Sequence, residues 1–415
     1  MKSFNLIIFI LFFSPCFALG QWVSVLELPG GSPPQAFSDN GNGRLYFASI
    51  GLAGGVYSTT NNGINWVFSN NGINSNSIYA ISAKDSIVFV GAQNGIYRST
   101  ENGVLFIHLL NDIGAWTSEA VLIINNNVYA GFTLGVYTSA NLGNNWTLIN
   151  NGLPQYPWLI SLAYSNNIIY AGIEGQNSGI YKSTNLGENW IRINNEIPNT
   201  NPYSIYSYLN LVLVGTSQGV YISTNYGSNW RLIPEIPGNI GLFGLASIGT
   251  QTIFISAWEH GVYVSTNKGL NWVIKNEGLY PDLRLTTLYT LNGYVYVGTN
   301  SYQYYPNIFR RPVIELVPVI ENNTELPKDF RLYQNYPNPF NPSTTVKYSI
   351  NQKGFINLSL YNINGEIVKE LTNKEQKPGS YEINCTFDNQ SSGIYYYALK
   401  INYVVVDSKK MVYLK

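Results

Sequence analysis

Only two cysteines, Cys16 and Cys385, and two histidines, His108 and His260, occur in 415 residues. No cysteine–histidine cluster has metal-ligand spacing, so neither a zinc site nor any other bound metal is expected. Charge is scarce as well: charged residues make up 11% of the chain, 23 basic against 23 acidic, without a basic run. Nucleic acid is thereby excluded as an expected partner. Phosphate-binding loops and helical periodicity are missing, and no cofactor is implied. What remains is a chain 45% hydrophobic, with 38 glycines and 33 tyrosines. Short strands joined by polar turns are the architecture that such a composition serves.

The first twenty residues read as a secretory leader. Lys2 gives a positive start, Leu6 to Phe13 an apolar run, and Ala18-Leu19-Gly20 a small-residue cleavage site. That run is far shorter than the roughly 20 residues of a membrane-spanning helix, so no membrane span is expected. Pro15 stands where a lipoprotein site needs a small residue, and Cys16 is expected to leave with the leader. One cysteine, Cys385, would then remain, and no intramolecular disulfide is possible.

Self-comparison exposes a repeat. GVYSTTNNGINW opens at Gly55, GIYRSTENGVLF at Gly95, GVYTSANLGNNW at Gly135, GIYKSTNLGENW at Gly179, GVYISTNYGSNW at Gly219 and GVYVSTNKGLNW at Gly261, spaced 40 to 44 residues apart. Each follows two apolar strands, the second ending in small residues, as in IVFVGA from Ile87 and IIYAGI from Ile168. Four strands per unit at this period describe a propeller blade. After the sixth copy, LTTLYT, YVYVGT and IFRRPV supply three strands of a seventh unit, while Gln21 to Leu26 resembles the missing Trp-bearing strand. The expectation is a seven-bladed β-propeller over 21–313, closed by its N-terminal strand.

Within the repeat, the triplets Asn61, Gly63 and Trp66; Asn141, Gly143 and Trp146; Asn185, Gly187 and Trp190; Asn225, Gly227 and Trp230; and Asn267, Gly269 and Trp272 keep fixed offsets. Asn bonds nearby backbone, Gly accepts positive φ, and Trp buries a large ring, so a structural turn is expected. The second copy departs, with Glu101 and Phe106. These segments resemble the Asp-box of sialidase, sortilin and photosystem-assembly-factor propellers, with Asn in place of Asp. In that family the box is a turn remote from the active site, which implies no catalytic role here.

Beyond Val313 the repeat stops. Residues 314–330, with Pro318 and Pro327, read as a linker. LYQNYPNPFNPST from Leu332, SLYNINGEIVKEL from Ser359, KPGSYEINCTFDNQSSGIYYYALK from Lys377 and the ending KKMVYLK resemble the C-terminal sorting domain of the type IX secretion system of Bacteroidetes. The match covers 331–415. Alternating strands between Gly and Asn turns predict an immunoglobulin-like β-sandwich. The resemblance implies the type IX machinery as a partner and an outer-surface or extracellular destination. An adhesive or carbohydrate-binding module is the other reading of this segment.

A catalytic centre is harder to find. The propeller's arginines, Arg44, Arg98, Arg192, Arg231, Arg284, Arg310 and Arg311, do not assemble a sialidase triad by pattern. Among its acids, Glu174, Glu259 and Asp282 are those expected near one mouth of the channel, which leaves an endoglucanase- or sialidase-like hydrolase as the alternative. Aromatics outside the boxes gather in the loops of the rim opposite the box turns: Trp116, Tyr156, Trp158, Trp258, His260, Tyr280 and Tyr304, with Tyr203 close by. Rings with polar tips suit recognition of sugars or protein loops. They would equally plug the channel or cover neighbouring blades. The reading is therefore an all-β, exported binding or scaffold protein with no catalytic residues.

Overall fold

The computed structural model describes residues 20–28, 32–109, 117–175, 178–194, 196–198, 201–238, 243–300, 307–317, 330–350, 354–363, 367–387, 390–401 and 404–415. The leader expected over 1–20, save Gly20, the rim residues Trp116 and Tyr304, and most of the linker expected over 314–330 lie outside the described residues.

Up to Pro312 the chain forms seven four-stranded antiparallel sheets. Their first strands are Pro34–Asp39, Ile78–Lys84, Ser118–Ile124, Trp158–Ser165, Pro202–Tyr208, Phe243–Ile248 and Arg284–Leu291. Each first strand lies beside that of the next sheet, and Pro34–Asp39 lies beside Arg284–Leu291. The seventh sheet draws on both ends of this region: Val23–Glu27 pairs antiparallel with Asn307–Pro312.

The core is distributed over the seven places where one sheet faces the next. Tyr46, Val56, Ile78 and Val90 fill the space between the first and second sheets, and Phe37, Phe47, Tyr296 and Ile308 that between the first and seventh. Covered on both faces, the second strands read as continuous apolar runs such as Ile87–Ala92 rather than as alternating ones. Their small residues answer a steric demand. A Cβ on Gly91 would stand 2.6 Å from the Ser118 carbonyl oxygen, and one on Gly172 2.6 Å from that of Pro202, both on the adjoining first strand.

Trp22 shows how Val23–Glu27 substitutes for a box strand. Its amide donates to the Glu277 carbonyl at 2.7 Å and its indole to the Lys275 carbonyl at 2.6 Å. Trp190 does the same two residues apart, its amide to Asn151 at 2.9 Å and its indole to Ile149 at 2.8 Å. Arg311, almost fully buried, donates to Glu277 at 2.7 Å and to the Gly20 carbonyl, tying the strand's entry to the last strand of its sheet.

Residues Val313–Leu316 form one short helical turn with Leu316 buried, where the linker reading gives extended chain. Phe330, the last residue of that expected linker, already opens a strand. The C-terminal region comprises a three-stranded sheet (Phe330–Leu332, Ser343–Ile350, Gly379–Thr386) and a four-stranded one (Ile367–Gln376, Gly354–Tyr361, Gly393–Ile401, Val404–Tyr413). Both contribute to one core, in which Val346, Leu358, Cys385, Tyr397 and Met411 are buried. The Cys385 thiol is free, and burial raises its pKa.

Candidate functional site

Two ends of the seven sheets must be distinguished. Turns between third and fourth strands, where the boxes fall, lie at one end. At the other end lie the turns between second and third strands, the loops entering each sheet, and the starts of the first strands, since Trp158 pairs with Glu174 at the end of the second strand.

At the box end, each turn is bonded to itself. In the fourth sheet, Ser183 Oγ donates to Asn185 Oδ1 at 2.8 Å, while the amides of Gly187 and Asn189 donate to Ser183 Oγ and Asn185 Oδ1 at 2.8 and 3.0 Å. The same bonds recur around Asn61, Asn141, Asn225 and Asn267. Two successive residues take positive φ in each turn, for example Leu186 at 56° and Gly187 at 95°. Glycine meets that demand at no cost. Leu142, Leu186, Tyr226 and Lys268 meet it against their own preference, held by the surrounding bonds. Glu101 lacks the carboxamide, yet the amides of Glu101 and Gly103 still donate to Ser99 Oγ at 3.2 and 3.1 Å. The Ser or Thr hydroxyl and the Asn carboxamide oxygen that shape these turns are thus engaged internally rather than offered to a ligand.

The opposite end differs from sheet to sheet. Its first strands carry a β-bulge in six sheets, the extra residues being Gln35, Tyr79, Glu119, Ile160, Tyr203 and Thr286. A bulge re-aims one side chain and interrupts the alternation from which strand faces are read in sequence. All six are half-buried. Glu119 is the acidic one, and it is the residue that sequence reasoning missed.

Around Glu119 the structure gathers an acidic and aromatic group. Burial raises the Glu119 pKa, the Glu174 charge raises it further, and a hydrogen bond from the Trp158 side chain pulls the other way. Burial also raises the pKa of Glu174. The Glu174 Oε1 accepts from Asn201 Nδ2 at 2.7 Å, and that amide also reaches the Tyr203 hydroxyl at 3.3 Å. The acidic neighbour of Glu174 is thus Glu119. Glu259 forms an ion pair with Arg284 at 3.0 Å.

The expected aromatics divide similarly. Tyr156 is 74% exposed and Trp158 41%, both beside the Glu119 group in sequence or contact. Trp158 opens its strand rather than preceding it. Trp258 lies beneath the Arg284 guanidinium, 5.5 Å from carbon to ring centroid. His260 shares that turn, its amide donating to Ala257 at 3.0 Å. Tyr280 is 48% exposed and meets Phe309 edge-on at 6.1 Å. His108 stacks on Tyr97 at 4.5 Å. Among the described residues, no three or more His, Cys, Asp or Glu side chains are grouped to hold a metal, and no helix is long and apolar enough to cross a membrane.

A family model described as the secretion system C-terminal sorting domain matches residues 334–413. No curated protein matches the chain. Among solved structures, YCF48 bound to a D1 peptide is similar at a TM-score of 0.57 and 13% identity, over 72% of this chain and 96% of that one. The extracellular domain of a putative one component system from B. thetaiotaomicron reaches a TM-score of 0.53 at 14% identity, over 95% of this chain and 59% of that one. PorZ, a bacterial surface component of the type-IX secretion system of Porphyromonas gingivalis, reaches 0.50 at 12% identity, over 94% and 60%. At such identities the likeness is one of fold. The chain is a secreted protein in which a β-propeller-like fold is followed by a C-terminal type IX secretion sorting domain.

Proposed function

We propose that this is a binding or scaffold protein delivered to the outer surface or the medium, and that its ligand face is the end opposite the boxes. In this reading 1–20 is the leader and 21–313 a seven-bladed propeller closed by the strand after Gln21. The linker then spans 314–330, and 331–415 is an immunoglobulin-like sorting sandwich addressed to the export machinery. The boxes are structural turns, and no metal or cofactor takes part. The observation that carries the reading is the exposure of Tyr156, Trp158 and Tyr280 at the one end where the sheets differ.

Glu119 and Glu174 belong to that face as recognition groups. YCF48, similar in fold, has been solved with a D1 peptide bound, which supports a binding role for this one. The test is binding of the secreted full chain to surface glycans and partner proteins before and after Tyr156→Ala and Trp158→Ala. Weaker binding by folded variants is expected, and unchanged binding by both would remove the assignment.

A further inference from the structure

At the same end, between the second and third sheets, lies an open recess of about 590 Å³ lined by Asn74, Ser75, Asn76, Gln93, Asn94 and Thr117. Its size falls within the roughly 300–1,000 Å³ of small-ligand sites, but its chemistry departs from their usual apolar lining. All six residues are polar and none carries charge. Four of them bring side-chain amides, each able both to donate and to accept, and two bring hydroxyls.

The walls are set before any ligand arrives. Asn94 Nδ2 donates to the Tyr97 hydroxyl at 2.8 Å, and that hydroxyl donates to Asn74 Oδ1 at 3.3 Å. Tyr97 is fully buried and is stacked by His108, whose Nε2 sits 2.9 Å from the Asn94 carbonyl. The Asn76 carbonyl accepts from the Gly51 amide at 3.0 Å, and the Gln93 amide donates to the Ser77 carbonyl at 3.0 Å, which fixes both backbone segments. Against this rigid frame, the side-chain NH₂ groups of Asn74 and Asn76 and the whole Gln93 carboxamide have no partner among the described residues. Asn74, Asn76 and Gln93 are exposed.

We infer that this recess binds a neutral oligosaccharide. Vicinal hydroxyls both donate and accept at short range, which matches carboxamides in pairs, and an uncharged lining gives no counterion to uronate, sulfate or amine. A peptide is the weaker fit, because peptide grooves draw affinity from side-chain pockets or from a free sheet edge, and neither lines this recess. The inference rests on the reading of this end as the ligand face.

The experiment titrates the full-length secreted chain with neutral β-glucan, xylan, mannan and α-glucan oligosaccharides, with oligogalacturonides, chitosan oligomers and a peptide array as comparators. Asn76→Ala with Gln93→Ala removes two exposed amides, and equal thermal midpoints establish that the variant is folded. Losing two hydrogen bonds of about 1 kcal/mol each predicts binding weaker by about tenfold or more. Binding confined to charged oligomers or peptides, or to nothing in the panel, overturns the saccharide assignment. Neutral binding that survives the double variant overturns the recess. If Trp158→Ala abolishes binding in that last case, the ligand-face reading stands without the recess. If only the double variant weakens binding, the recess stands and the aromatic residues lose their assignment.

Discussion

The two ends of the seven sheets are built to opposite rules. At the box end, Asn61, Asn141, Asn185, Asn225 and Asn267 make the same pair of bonds. At the other end the described loops vary in chemistry: amides around Gln93, carboxylates and an indole around Glu119, an arginine over Trp258. Repetition therefore marks the groups that hold the sheets together, and its loss marks where the molecule has freedom to recognise something.

The comparison breaks first where a box-type anchor is removed. Trp22→Ala deletes a side chain 3% exposed together with its bond to Lys275, and should cost about 3–5 kcal/mol in chemical denaturation. A loss below about 1 kcal/mol would show that Val23–Glu27 is dispensable to its sheet. Next comes the turn itself. Asn185→Ala takes the acceptor from Ser183 Oγ and the Asn189 amide, at an expected cost of about 1–2 kcal/mol, whereas Tyr156→Ala at the other end, 74% exposed, should shift the same transition by under about 0.5 kcal/mol. Equal effects would erase the distinction between the ends.

The smallest effect concerns Glu119. Its folded pKa is raised, so the stability linked to it is fully present below the ordinary glutamate value of 4.5 and is lost as pH rises through the folded value. Glu119→Gln should therefore be the more stable protein at pH 7, with the advantage fading in acid. Denaturation midpoints at both pH values read this directly, and an advantage that grows in acid would contradict the assignment.

How far the sequence discloses this molecule follows from the same contrast. The boxes were legible because Ser, Asn, Gly and Trp recur at fixed offsets, and the strands because apolar runs fall between turn residues. The positive φ of Leu186 and Tyr226 was not legible, since nothing in leucine or tyrosine announces it. The bulges at Glu119 and Tyr203 were hidden for a similar reason: one extra residue changes the face a side chain takes without changing composition. Glu119 was passed over because its partner Trp158 stands on the adjoining sheet, a proximity that only packing creates. A second repeated corner also escaped notice. Gly72, Gly152 and Gly278 each take positive φ where a Cβ would meet the carbonyl of Phe106, Trp190 or Trp22, and Asn71-Gly72 and Asn151-Gly152 were its trace in the sequence.

The pairing of Val23–Glu27 with Asn307–Pro312 has a consequence in time as well as in space. A chain emerging from its N-terminus presents that strand ahead of the six sheets that separate it from its partner, so the strand waits through the synthesis of all six. Contacts so distant in sequence form slowly, because a long loop must be ordered before they reward it. For a secreted chain that delay is useful: the seventh sheet stays open, and the polypeptide stays pliable, until residue 312 of 415 has been made.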